Sequence, residues 1–156
     1  MRLRTLGVAA AMAASAWSMQ DTPARSVWDG VYTPTQAERG HRLYAAHCAN
    51  CHGNDLLAQD PEQIAREEQL IARGVRIRSL ALRGAVFISN WNDLTVGDLV
   101  ERIRISMPQQ APGSLSRRQV VDITAFLLQQ NGFATGDHDL PADPDELHRI
   151  AITVAR

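Results

Sequence analysis

Cysteine occurs in this 156-residue chain in one place, Cys48-Ala49-Asn50-Cys51-His52, and the spacing there has a chemical use. Cys-x-x-Cys-His is the attachment pattern of a c-type haem. The two thiols add across the haem vinyl groups, and a two-residue gap lets one helical turn span the porphyrin edge. The imidazole of His52 then supplies the proximal nitrogen to the iron. A thioredoxin-like redox pair also reads Cys-x-x-Cys, but it needs no His after it and prefers a βαβ setting that the chain does not show. A zinc knuckle requires more Cys or His at ligand spacing, and His41 and His47 are too few and poorly placed. The pattern predicts one covalently attached haem c, because no second motif and no internal repeat appears.

An iron held by His52 has a second axial position to fill. Of the four methionines, Met1 and Met12 lie in a leader segment, and Met19 follows in a polar stretch. Met107 is then the plausible thioether. It stands at Ser106-Met107-Pro108, where Pro108 stops a helix and leaves Met107 on a loop. Core filling is the ordinary alternative for a methionine. With His52 and Met107 both bound, the iron has no vacant position for substrate, which argues for outer-sphere electron transfer and against an enzyme. A thioether also favours the ferrous state and raises the reduction potential.

The elements that position these groups read as helices. Thr33-Pro34-Thr35-Gln36 opens the first, with a cap, a first-turn Pro and capping-box spacing, and Ala37, Gly40, Tyr44 and Cys48 run along one face to the motif. Gly40 in mid-helix costs about 1 kcal/mol against Ala, so another element is expected to pass close by. The visitor expected there is the last helix, capped by Ser116 and Gln119, striped by Val120, Ile123, Phe126 and Leu127, and stopped at Asn131-Gly132. Phe126 or a neighbour is expected over Gly40. Between them, Asp60-Pro61-Glu62-Gln63 opens a charged helix ending near Gly74, followed by Arg73, Arg76, Arg78 and Arg83. That cluster reads as a solvated face in preference to a surface that steers an acidic redox partner. Phe87 and Trp91 stand four apart, and Thr95 begins a helix burying Leu99, Val100 and Ile103. After Gly132 a tail carries a short helix signal, Asp143-Pro144-Asp145-Glu146, with Leu147 and Ile150 as its apolar edge. Val27-Trp28-Asp29-Gly30-Val31-Tyr32 either covers one edge of the domain or lies on its surface.

Length supports one domain. The expected divisions are a signal peptide at 1–16, an arm at 17–33, a haem domain at 34–133 and a tail at 134–156. Arg2 and Arg4 precede an apolar run from Leu6 to Ala14 and an Ala14-Ser15-Ala16 cleavage site. The run is too short to span ~30 Å of hydrocarbon, so no integral membrane segment is expected. Export to the periplasm suits thioether attachment. The formal charge is −1, so nucleic acid is not an expected partner.

Taken in order, Gly40 and Tyr44, Cys48 through Gly53, Phe87 and Trp91, Ile105-Ser106-Met107-Pro108 and Val121 through Leu128 resemble the class I cytochromes c. The likeness spans roughly residues 27 to 133. The lead-in Val27 to Thr33 is similar to that of bacterial mono-haem cytochromes accompanying periplasmic dehydrogenases. The resemblance implies an all-α class I cytochrome c fold, three to five helices around one haem. It implies Cys48 and Cys51 as anchors and His52 and Met107 as iron ligands. Tyr44, Phe87, Trp91 and Pro108 join them at the cofactor, with Trp91 near a propionate. The chain departs from its relatives at 60–83, where they have a short apolar loop, and Leu80 or Leu82 is expected to line the pocket instead. The expected role is a periplasmic carrier of single electrons between a dehydrogenase and a terminal oxidase or another cytochrome. An obligate cytochrome subunit of an oxidoreductase complex is the alternative, and a sensor or peroxidase with a labile Met107 is a third reading.

Overall fold

A computed structural model describes residues 25–58, 65, 68–69, 72–74 and 81–154. The expected signal peptide, most of the arm's first half, and Arg76, Arg78 and Leu80 lie outside the described residues. Of the charged helix expected from Asp60 to Gly74, the described Ala65, Glu68, Gln69 and Ala72 are helical and exposed, and Gly74 is left-handed after them.

Helix α1 (Pro34–His47) begins where the sequence predicts: Thr33 accepts the amide of Gln36 at 3.0 Å, and Pro34 takes the first turn. The capping box is only half formed. Gln36 is buried, and its amide group pairs with the tail, accepting from Leu140 N–H at 2.6 Å and donating to Leu140 C=O at 3.2 Å. A buried amide with two distant partners is worth more than a frayed first turn, so the long-range pair wins. Helix α2 (Ala49–His52) follows at once, then α3 (Ala85–Trp91), α4 (Val96–Ser106), α5 (Arg117–Gln130) and α6 (Pro144–His148). Both Thr95 at α4 and Ser116 at α5 form complete capping boxes, with Asp98 and Gln119 as partners. Asn131 caps the end of α5 and Gly132 turns left-handed at φ +80°, as the stop signal predicts.

The most extensive packing joins α1 to α5. Gly40 makes it possible: a Cβ there would lie 1.8 Å from the carbonyl oxygen of Asp122 and 3.0 Å from Phe126 Cβ. The expected visitor is therefore the right helix, but its backbone one turn before Phe126 comes closest. Val120, Ile123 and Leu127 face the core with Ala37, Tyr44, Leu99 and Val100.

The fold is helical, but not purely so, and six helices have bounds among the described residues, besides the helical positions between 65 and 72, instead of three to five. Strand β1 (Arg25–Ser26) pairs parallel to β3 (Ile150–Ile152), and β2 (Leu94–Thr95) pairs antiparallel to β3, giving the order β1-β3-β2. Strands of two or three residues leave no alternating pattern to read, which is why the sheet was not expected. The tail helix α6 forms on its Asp143 cap and buries Leu147, while Ile150 belongs to β3. The arm is no surface appendage: Val27, Val31 and Tyr32 are buried, and Trp28 packs edge-on against Phe133 at 4.8 Å.

Candidate haem-binding site

Helix α1 carries the motif to its place. The N–H of Cys48 donates to Tyr44 C=O at 2.8 Å, closing α1, and Cys48 C=O then accepts from Cys51 at 3.1 Å and His52 at 3.0 Å, opening α2. The two cysteines are thus three apart on one helical turn, where side chains share a face. Both thiols are half-buried and free of any disulfide. Burial, with the nearby Cys51 second, pushes the Cys48 thiol up to about 11. Among the described residues no group of three or more His, Cys, Asp or Glu side chains is arranged to hold a metal ion.

His52 ends α2, half-buried, and the chain turns away through Gly53 at φ +75°. Tyr44 closes that turn from the core side, its hydroxyl donating to Gly53 C=O at 2.6 Å. Burial first, then the neighbouring Cys48 and Asp55, raise the Tyr44 phenol well above its ordinary value, so it remains a donor. The loop that follows holds two non-glycine residues in the left-handed region, Leu56 at φ 62° and Ala58 at φ 52°. Each such residue costs of order 1 kcal/mol and needs its surroundings to hold it. Here Leu56 is buried and its carbonyl accepts from Leu82 N–H at 2.7 Å, and Ala58 N–H donates to His52 C=O at 3.1 Å.

Phe87 is core, with ring centroids 6.5 Å from half-buried Trp91 and 6.4 Å from Phe133. Met107 caps α4 in an extended conformation, half-buried, its N–H on Ile103 C=O at 2.9 Å. Pro108 follows, its carbonyl accepting from Ala111. The expected residues thus fall into three groups: Tyr44 with the motif turn and Phe87 with Trp91, both on the core, and Met107 with Pro108 at the end of α4.

Asn131 is a site-supporting residue that sequence reasoning read only as a helix stop. Its side chain accepts from Gly84 N–H at 2.9 Å and donates to Leu82 C=O at 3.0 Å, tying the end of α5 to the segment that leads into α3. The same segment holds Leu56, so one side chain links the last helix to the loop behind the motif. An Asn before Gly signals a turn, and nothing local names its partners.

The residues present fit a haem. Leu43, Cys48, Leu82, Ile88, Trp91 and Ile103 are packed against the core yet remain only partly covered. Unfinished apolar contacts of this kind are what a large apolar ring completes. The motif turn supplies donors of the kind a c-type haem takes: two thiols and an imidazole. Among the described residues no helix is long and apolar enough to cross a membrane. A family model described as cytochrome C oxidase, cbb3-type, subunit III matches residues 35–127, more than half of the chain. No curated protein and no solved structure matches.

Proposed function

The chain belongs to this family of c-type cytochromes, and on that premise we propose that it carries single electrons through one haem c in the periplasm. Cys48 and Cys51 would hold the group through two thioethers, and His52 and Met107 would ligate its iron. When bound, the haem supplies a one-electron couple. Trp91 would offer its indole N–H to a propionate, Phe87 and Tyr44 would shape the floor, and Pro108 keeps Met107 off the helix. The thioether of Met107 favours the reduced state, and the half-buried apolar rim keeps water away and favours it further. The observation that carries this reading is the motif turn: two half-buried thiols and an imidazole set on one helical turn at the end of α1.

The donor and acceptor are a dehydrogenase and a terminal oxidase or second cytochrome. A second reading, a permanent cytochrome subunit of an oxidoreductase complex, is favoured by the family description, which names an oxidase subunit. Washing at moderate ionic strength separates the two, because a transient charged encounter is released and an apolar interface is not.

The test is the exported protein itself. It is expected to be red and to keep its haem after denaturation. Met107→Ala is expected to retain the haem, lower the potential and open the iron to carbon monoxide. A Met107→Ala spectrum identical to the parent's makes Met107 core filling, and a colourless parent protein ends the reading.

A further inference from the structure

Helix α3 carries Phe87 and Trp91, yet among the described residues it packs extensively against no other helix or strand. It also has no side-chain cap of its own, since Gly84 stands at the capping position. Phe87 pins its middle in the core, so its angle depends on how its two ends are held. The far end is tied to the tail: Asn92 Oδ1 accepts from Val154 N–H at 3.0 Å, and Asp93 N–H donates to Ile152 C=O at 2.9 Å. The near end is tied to α5 by the side chain of Asn131.

The Asn131 oxygen accepts from Gly84 N–H at 2.9 Å, and its nitrogen donates to Leu82 C=O at 3.0 Å and to Leu127 C=O at 2.8 Å. An amide offers one oxygen and two N–H groups, and here all are engaged. Two partners are carbonyls and one is an N–H, so neither a carboxylate nor an ammonium could serve all three. Leu82 N–H in turn donates to Leu56 C=O at 2.7 Å, and the loop returns to the motif through Ala58 N–H on His52 C=O at 3.1 Å. Asn131 therefore stands where α5, the entry to α3 and the loop behind His52 meet. Leu82, Ile88 and Trp91, all partly covered apolar side chains packed against the core, lie on the segment it holds.

We infer that Asn131 is a positioning residue for electron transfer. By fixing the entry to α3 it sets how closely Leu82, Ile88 and Trp91 cover a haem, and through that cover it sets the reduction potential. The inference rests on the electron-carrier reading and adds to it a residue of the last helix that acts through others. Ferric haem carries one more positive charge than ferrous haem, so water admitted along this wall favours the oxidised form and lowers the potential. Groups behind a redox centre tune it in this way, by orienting what surrounds it and by controlling solvent access.

Two variants test the role. Asn131→Leu removes all three bonds at similar volume. Asn131→Ser is shorter: its hydroxyl can still bond Leu127 C=O one turn back, which keeps the helix end while releasing Leu82 and Gly84. The control is Gln36→Leu. Gln36 makes the same kind of amide pair, to both polar groups of Leu140, but it lies twelve residues before Cys48, about 18 Å away along α1.

Haem-loaded proteins are titrated against redox mediators. At a fixed ambient potential both Asn131 variants are expected to show a ferrous-to-ferric ratio roughly three- to ten-fold below the parent's, about 28–59 mV at about 59 mV per tenfold. Gln36→Leu is expected to lose stability in urea and to keep the parent's ratio. Hydrogen exchange read by mass spectrometry gives a measure independent of the potential. Amides at 82–84 should exchange roughly tenfold faster or more in the Asn131 variants, and those near Leu140 in Gln36→Leu. An unchanged ratio in either Asn131 variant, whatever its exchange, makes Asn131 a fastener only; it overturns the inference and leaves the electron carrier standing. An equal fall in Gln36→Leu also overturns it, because any loosening of the fold would then do the same. A colourless parent overturns the carrier and the inference together.

Discussion

Two buried tyrosines close two parts of this molecule in the same way, across very different lengths of chain. Tyr44 donates to Gly53 C=O at 2.6 Å across nine residues, and Tyr32 donates to Phe133 C=O at 2.7 Å across 101. The first shuts the motif turn; the second joins the arm to the exit of α5. On loop entropy alone the longer closure costs about 2 kcal/mol more. It is supported by company: Gly136 N–H donates to Tyr32 C=O at 2.7 Å, Trp28 Nε1 to Thr153 C=O at 3.0 Å, and β1 pairs with β3. The motif turn stands on local bonds, whereas the arm and tail stand only because several distant contacts form together.

The largest expected effect sets two glycines against each other. Gly40 and Gly136 each sit where a Cβ would meet backbone, 1.8 Å from Asp122 oxygen and 1.9 Å from Gly30 oxygen. The geometry is alike, but the neighbours differ. Asp122 is held within α5, and shifting its carbonyl moves a helix packed along its length against α1; Gly30 and Gly136 lie between elements. Gly40→Ala is expected to cost about 3 kcal/mol or more by overpacking, and Gly136→Ala clearly less. Urea melts of both variants measure this. Equal losses would mean that the arm–tail crossing is as rigid as the helix pair.

That contrast also explains what could be read in advance. Gly40 announced a close approach because a glycine in a helix is costly, and the α5 stripe named the visitor. The caps at Thr33, Ser116 and Asp143 were legible because each signal lies within four residues. The motif was legible for the same reason, since its chemistry lies in five consecutive residues. Gln36 was misread because its spacing fits a capping box while its partner, Leu140, is 104 residues away. Asn131 reaches 49 residues back to Leu82, and the sheet joins 25–26, 94–95 and 150–152, pairings that no local pattern encodes. Arg39 likewise bridges Asp122 and Asp139, with Asp139 also accepting from Thr33, a network visible only once the tail is folded down.

The next effect compares the tyrosines directly. Tyr32→Phe removes the hydroxyl donor of the Phe133 carbonyl, and Tyr44→Phe leaves the Gly53 carbonyl only the longer 3.3 Å bond from Leu56 N–H; each is expected to cost about 1–3 kcal/mol. Their consequences for the site should differ. Tyr44→Phe loosens the turn that follows His52, so the visible spectrum of the haem-loaded protein is expected to change. Tyr32→Phe acts at the arm, and its spectrum should match the parent's. A spectral change in Tyr32→Phe alone would reverse the division between a local motif turn and a remote clasp.

The smallest effect is a pH dependence in which the two regions should agree. Burial pushes the Tyr32 phenol up to about 12 from an ordinary 10.0, and Tyr44 is raised further for the same first reason. Both groups are neutral when protonated, so burial favours the protonated form in the folded chain. Below the ordinary value neither state has lost the proton, and neither tyrosine contributes to pH dependence. Above it the unfolded chain gives up its phenol protons first, so the folded state binds more protons and stability falls as pH rises. For Tyr32 the fall spans the interval from 10.0 to about 12 and then levels off. Each tyrosine contributes a slope of up to about 1.4 kcal/mol per pH unit in its window. Urea melts at about pH 9 and about pH 11 should therefore show a smaller loss in either Tyr→Phe variant than in the parent. Subtracting variant from parent removes every other alkaline group, so the difference reads one phenol at a time. If Tyr32→Phe loses as much as the parent between these two pH values, the Tyr32 hydroxyl is open to water in solution, and the arm is less tightly closed than the motif turn.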